Sequence, residues 1–341
     1  MTRPILLTGA TGFIAKHIAA DLLAAGHHVR ASVRNDARAA ELRAALAPVV
    51  DAQALTERLE VVTLDLTRDD GWRGAVEGVE AVIHTASPFP LKQPCNPEDL
   101  LRPAVDGTLR ALRAAADAGV GRVVLTSSVA AILNAKLPPG QTVYDETIWS
   151  DPRHPAATPY DNSKTLAERA AWDFVAREAP EIALTVLNPG LVMGPPLDAR
   201  IGSSLEVLQR LLGGKDPMLP GFGLPVVDVR DVATAHVRAL DRPDSVGQRI
   251  PLGGQFLWLT EMAQVLAQAY PDRRIVTRRA PDLVVRGLAL FDPAIRSILP
   301  KLGQRAEMSD AQARTLLGLE QRPAAQALRD GADALIRLGL A

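Results

Sequence analysis

A doubly wound α/β fold is predicted for this chain: a parallel, Rossmann-type sheet with a smaller C-terminal lobe for substrate. Three observations predict it. Short apolar runs alternate with helix-like stretches through the first half, and strands separated by helices imply right-handed βαβ crossovers. The first run ends at a glycine turn that leads into a helix. Beyond Pro189 the alternation loosens, broken by Pro195, Pro196, Gly202, Gly213, Gly214, Pro217, Pro220, Gly221 and Gly223. The chain has 341 residues, 47% of them hydrophobic and 23% charged, enough to bury a sizeable core in one large domain with an inserted lobe or in two modest domains. Residues 1–190 are expected to form the dinucleotide-binding domain, with 225–255 returning to it, and 191–224 and 256–341 mainly the substrate-binding lobe.

The elements follow in order. Ile5–Thr8 is the first strand, and Ile14–Ala25 repeats apolar residues at helical spacing until Gly26, a typical helix end. Val29–Arg34 is a strand, Ala37–Leu46 an Ala/Leu/Arg helix, and Leu59–Leu64 and Ala81–His84 are further strands. Val105–Ala118 is a long helix, Arg122–Thr126 a strand, Tyr160–Arg177 a helix and Ala183–Leu187 a strand. Val226–Val229 is expected to return to the sheet, followed by a helix over Val232–Leu240. Gln312–Leu317 and Ala324–Leu338 are terminal helices.

Composition narrows the function. Lys and Arg total 38 against 39 Asp and Glu, a net charge of −1, which does not suit a nucleic-acid or polyanion binder. No stretch reaches the ~20 apolar residues of a membrane span, and the apolar triplet Ile5–Leu7 is too short for a signal peptide. Cys95 is the single cysteine, so no intramolecular disulfide forms and a cytoplasmic location is expected. His84, His154 and His236 lie on separate segments without metal-ligand spacing, so no metal is expected. A monomer or a homodimer suits the chain equally.

The turn Thr8-Gly9-Ala10-Thr11-Gly12-Phe13-Ile14-Ala15 carries the first chemistry. Gly9 can make the tight turn, Gly12 lets backbone approach a pyrophosphate, and Ala15 lets the helix pack on the strand. The helix N-terminus offers free N–H groups and partial positive charge to phosphates. Where NAD-selective proteins usually place a carboxylate, at the end of the second strand, this chain has Arg34, with Arg38 one helical turn on. Guanidinium forks suit a 2′-phosphate, so NADP(H) is the expected coenzyme. Asp36 is the competing carboxylate. Asp65 and Leu66, at the end of the third strand, are candidates for the adenine, although an Asp at a strand end also serves as a cap.

Tyr160 and Lys164 share one helix face at i and i+4. Carbonyl reduction needs a proton donor beside the developing alkoxide, and free tyrosine, with a pKa near ~10, is a poor one to cycle at neutral pH. A cation about 4 Å away at an effective dielectric of ~20 contributes roughly 4 kcal/mol, about three pKa units. That shift would bring the phenol near neutrality.

Together the loop Thr8–Ala15, the Tyr160/Lys164 pair and Ser127-Ser128 resemble extended short-chain dehydrogenase/reductases. The strings His84-Thr85-Ala86-Ser87-Pro88-Phe89, Asp145–Asp151 and Asn188–Pro195 are similar to those of dihydroflavonol reductases, cinnamoyl-CoA reductases and fungal aldehyde (methylglyoxal) reductases. Gly12–Ile18 and the Arg34/Arg38 spacing look most like the fungal type. The resemblance implies that Ser128, Tyr160 and Lys164 are catalytic, with Ser128 on the substrate carbonyl and Lys164 also on the nicotinamide ribose. Ser127 would orient the local backbone, although the two serines can exchange roles. Thr85, Ala86 and Ser87 would lie beneath the nicotinamide, Pro189, Gly190 and Val192 beside it, and Ser203 or Ser204 nearby. Asn134 does not align with the flavonoid-contacting residue of the plant enzymes, so smaller or more hydrophobic aldehydes and ketones are expected as substrate. Two other readings stay open: a nucleotide-sugar epimerase/dehydratase with bound NAD, and a non-catalytic dinucleotide sensor.

Overall fold

The computed structural model describes residues 3–87 and 96–341; Pro88, Phe89 and Cys95, named above, lie outside the described residues. In chain order the first half forms β1 (Ile5–Thr8), α1 (Phe13–Ala24), β2 (Val29–Val33), α2 (Asp36–Leu46), α3 (Ala52–Glu57), β3 (Leu59–Thr63), α4 (Trp72–Val76), β4 (Ala81–His84), α5 (Glu98–Asp117), β5 (Arg122–Thr126) and α6 (Pro159–Arg177). Then come β6 (Ala183–Pro189), β7 (Leu191–Met193), α7 (Ser203–Gly213), β8 (Gly223–Asp228), α8 (Val229–Asp241), β9 (Arg249–Leu252), β10 (Gln255–Trp258) and α9 (Leu259–Ala269). The chain closes with α10 (Asp282–Leu288), α11 (Pro293–Ile298), α12 (Ala311–Leu317) and α13 (Ala324–Arg337).

The main sheet is parallel throughout, in the order β3-β2-β1-β4-β5-β6-β9. Order reverses beside β1, so a crevice opens at the carboxyl ends of β1 and β4. One face packs on α1, α2, α8 and α12 through Ile18, Leu22, Leu42, Val232 and Leu317. The other packs on α4, α5 and α6 through Trp72, Leu112 and Phe174. A second sheet, β10-β8-β7, has its own core with α7, α9 and α13, built on Leu205, Leu208, Met262, Leu266, Leu328 and Leu335. This is the C-terminal lobe.

Local chemistry sets the helix ends that matter. Gly26, at φ +91, follows α1 in the left-handed conformation that ends a helix. Thr158 caps α6: its Oγ1 accepts from Asp161 N at 3.2 Å while Asp161 Oδ2 accepts from Thr158 N at 2.9 Å, with Pro159 in the first turn. Among the described residues no helix is long and apolar enough to cross a membrane.

Three differences from the sequence expectations have physical causes. Helix α5 begins at Glu98, because Pro103 falls inside it and reads in sequence as a boundary. The short helices α3 and α4 carry too few turns to show periodicity. The strand expected at Val226–Val229 does not rejoin the main sheet. As part of β8 it pairs with β7 in parallel and β10 in antiparallel fashion, and β9 takes the place beside β6. A short run buried on both faces has the same pattern in either sheet, so its partner is decided by tertiary packing.

The sheets meet at Gly254, between β9 and β10. It has φ +64, and a Cβ there would stand 1.9 Å from the Val226 carbonyl oxygen. Left-handed backbone costs a non-glycine residue about 1–2 kcal/mol, and the overlap adds roughly 1–3 more. Gly254→Ala is therefore expected to lose about 2–5 kcal/mol in denaturant unfolding, whereas the same change at Gly247, where nothing lies within 4 Å although φ is +74, should cost only the backbone part.

Candidate active site

The crevice begins as a groove of about 510 Å³ at the carboxyl ends of β1, β2 and β4. Hydrogen bonds shape it. Thr8 Oγ1 accepts from the backbone N–H groups of Thr85 and Ala86, both at 3.2 Å, so its own proton goes to His84 Nδ1 at 2.9 Å. Ser32 Oγ accepts from Gly9 N at 3.1 Å. Gly9 has φ +66, and a Cβ on it would reach 2.8 Å from Ala86 Cα. Gly12 caps α1 with no side chain over the helix end, so the first N–H groups of that helix remain for a phosphate. The cradle thus fits a dinucleotide.

Nine of the expected coenzyme residues converge here: Gly9, Thr11 and Gly12 on the loop, Arg34 and Arg38 at one end, and Leu66, Thr85, Ala86 and Ser87 along the walls. Phe13 and Ile14 present the N-terminus of α1, while their side chains pack inward against the cores. Asp36 is exposed on the first turn of α2 and is not part of the groove wall. The Asp65 carboxylate accepts from Thr67 N and Oγ1, each at 2.8 Å; those bonds hold its pKa below the usual carboxylate range. It behaves as a turn cap. Pro189 ends β6, and Gly190 lies tight against Pro225, where a Cβ would stand 2.5 Å from the carbonyl oxygen. The Val192 side chain belongs to the main core. Ser203 opens α7.

At the inner end, Tyr160 occupies the first turn of α6 and Lys164 the second. Ser127 and Ser128 point to opposite sides, as successive residues leaving a strand do. The Ser128 hydroxyl lies near enough to the Tyr160 phenol to ease its pKa downward. Ser127 Oγ donates to Glu168 Oε2 at 2.5 Å, beside a chamber of about 10 Å³ bordered by His84, Lys164 and Glu168. The geometry thus separates the two serines. Asn134 is buried away from any such role, its backbone N–H donating to Ser150 Oγ at 2.9 Å.

The electrostatics correct one expectation. Burial pushes the Tyr160 phenol up to about 12, eased by the Ser128 hydrogen bond and reinforced by the Asp161 charge, so it is not near neutrality. Burial also pulls Lys164 down to about 8, against the opposing pull of Glu168. The loss of water outweighs the pairwise attraction. At neutral pH Tyr160 is a neutral phenol, able to donate a proton. Burial and the Lys164 charge pull His84 down to about 3, which leaves a neutral imidazole with its proton on Nε2.

Two residues of this network, Glu168 and Arg249, escaped the sequence reading. Glu168 has no solvent exposure. Its Oε2 accepts from Ser127 and, at 2.7 Å, from Asn188 Nδ2, and its Oε1 pairs with Arg249 Nε. Arg249 also donates to the carbonyl oxygens of Glu146 and Ile148 at 2.7 and 2.8 Å and lies over the Trp149 ring, 3.6 Å from its centroid. The available signal was Glu168 itself, which continues the 160/164 stripe by one more turn. Removing its charge takes away the one group opposing Lys164's deprotonation, so Glu168→Gln should lower the Lys164 pKa further below about 8. The alkaline limb of kcat/KM is expected to move to lower pH in this variant; an unmoved limb with a merely lowered plateau would show that Glu168 acts only structurally.

Comparison with known proteins agrees with this geometry. The family model described as NAD dependent epimerase/dehydratase family matches residues 5–253. Cinnamoyl-CoA reductase 2 of Arabidopsis thaliana is 36% identical over 278 residues, 80% of each chain. Ketoreductase azaE of Aspergillus niger is 35% identical over 317 residues, 86% of this chain and 90% of that one. Among solved structures, the yeast methylglyoxal/isovaleraldehyde reductase Gre2 complexed with NADPH superposes with a TM-score of 0.80 at 26% identity, over 99% of this chain and 100% of that chain. Vestitone reductase from alfalfa gives 0.77 at 25%, over 99% of each. With a family model spanning most of its length and curated relatives above 30% identity along four-fifths of both chains, this chain belongs to the NAD-dependent epimerase/dehydratase family.

Proposed function

We propose that this protein uses NADPH to reduce an aldehyde or ketone to the alcohol. The observation that carries the reading is the Ser128 hydroxyl beside the Tyr160 phenol, with Lys164 one turn behind, next to a chamber that shares Ala86 and Ser87 with the groove carrying Arg34 and Arg38. The reductases among its relatives and structural neighbours support it. When bound, the reduced nicotinamide supplies the hydride to the carbonyl carbon. Ser128 Oγ donates a hydrogen bond to the carbonyl oxygen and polarises it. Tyr160 gives its phenolic proton to that oxygen as negative charge develops, and the Lys164 ammonium returns a proton to the phenolate. Glu168 steadies the lysine.

The same reading gives the coenzyme the loop residues Gly9, Thr11, Gly12, Phe13 and Ile14, the wall residues Leu66, Thr85, Ala86 and Ser87, and Pro189, Gly190, Val192 and Ser203 on the nicotinamide side. It takes residues 1–190 and the part of 225–255 formed by α8 and β9 as the coenzyme domain, and 191–224, β8 and 256–341 mainly as the substrate lobe. A monomer or homodimer in the cytoplasm completes it, a location suited by a single cysteine.

Two experiments test it. Tyr160→Phe should lower kcat by at least ~10²-fold and leave NADPH affinity intact, measured against a panel of aldehydes, α-keto esters, diketones and flavonoids; near-normal turnover would remove the mechanism. Wild type should prefer NADPH over NADH by roughly 30- to 1000-fold in kcat/KM, as two charge-assisted contacts give. Arg34→Ala with Arg38→Ala should raise KM for NADPH and leave that for NADH nearly unchanged.

A further inference from the structure

One wall residue of the coenzyme groove, Arg200, comes from far along the chain, whereas the others all lie within residues 8–87. The segment between β7 and α7 runs back along α1 and is clipped to it. The His17 imidazole donates from Nε2 to the Pro195 carbonyl oxygen at 2.9 Å. The Lys16 ammonium, almost wholly buried, pairs with Asp198, whose carboxylate also accepts from Arg200 N at 3.0 Å. These bonds bring Arg200 to the groove wall, on the side of Arg38. Its guanidinium Nη2 lies 3.1 Å from Glu41 Oε2, the same oxygen that Arg38 Nη1 holds at 2.6 Å.

Every charged side chain that lines this groove is an arginine. One carboxylate, Glu41, stands just behind and spaces two of them. Three guanidinium groups and one carboxylate leave a net charge of about plus two, which matches a phosphate monoester near its second ionisation. Three forks also match the three terminal oxygens of such a group, each able to take a charge-assisted pair.

We infer that Arg200 is a third arginine of the 2′-phosphate site, delivered from the segment that leads into the C-terminal lobe and set against Arg38 by Glu41. This rests on the NADPH reading above and adds a specificity residue to it. It also ties the coenzyme's phosphate to the chain that enters α7, so binding at the outer end of the groove reaches the lobe that covers the inner end.

The test uses coenzyme fragments rather than turnover. Full-length wild type and Arg200→Gln are titrated with 2′,5′-ADP and with 5′-AMP by calorimetry, and in parallel by fluorescence of Trp72, which lines the groove. Wild type should bind 2′,5′-ADP more tightly than 5′-AMP. Arg200→Gln should weaken 2′,5′-ADP by roughly 5- to 30-fold, a half-exposed charge-assisted contact, and leave 5′-AMP unchanged, which also shows that the variant is folded. Glu41→Gln should tighten 2′,5′-ADP, because the phosphate no longer competes for two guanidiniums. If wild type discriminates and Arg200→Gln does so equally well, Arg200 has no part in the site and the inference falls alone. Equal weakening of both fragments would place Arg200 on the adenosine and overturn the phosphate assignment. A wild type that does not discriminate at all would sink the NADPH reading itself.

Discussion

Glu168 has no contact with solvent, so its carboxylate must be satisfied by protein alone. Meeting that demand draws five parts of the chain together. Ser127 reaches it from the end of β5, Asn188 from β6 and Arg249 from β9, and Arg249 in turn gathers the carbonyl oxygens of residues 146 and 148 and the face of Trp149. An ion pair in this setting adds little net stability, but an unpaired partner costs several kcal/mol, about 3–5. The arrangement is therefore all or none. It holds α6 at one height and rotation against the sheet, and with it Tyr160 and Lys164, which stand two turns and one turn before Glu168.

The lobe is held to α6 by a related device. Lys301 Nζ donates to Asp161 Oδ2 at 3.1 Å, and that same oxygen closes the capping box on Thr158. The first turn of α6, which carries Tyr160, is thus tied both to its own cap and to the chain just before α12. Elsewhere, Gly254 brings the two sheets into contact at β8. Loss of water around the phenol, beside the Asp161 charge, is what lifts its pKa to about 12.

Charge is divided along the crevice. The inner end sets one lysine in the field of one buried carboxylate and keeps its histidine neutral. The outer end gathers arginines, with Asp36 facing solvent and the Asp65 carboxylate engaged in its own turn. A dinucleotide laid along the groove would place its most anionic group in the positive end, where Glu41 is the carboxylate it competes with, and its reacting ring at the end where proton transfer is arranged.

By itself the sequence determined the local and periodic features. Ile5–Thr8, the glycine loop, the Thr158-Pro159 helix start and the i, i+4 pair of Tyr160 and Lys164 all follow from propensity, backbone freedom and helical spacing, none of which needs a distant partner. The Arg34/Arg38 pair was legible for the same reason. Tertiary structure alone decided the rest, because each case depends on residues far apart in the chain. It decided that β8 joins the small sheet while β9 joins the large one, that Ser128 rather than Ser127 meets the phenol, and that Glu168 meets Arg249 from 81 positions away. It also decided the protonation of Tyr160, since the pairwise attraction estimated from i, i+4 spacing omits the larger cost of removing water, and that cost exists only once the chain has closed around the site.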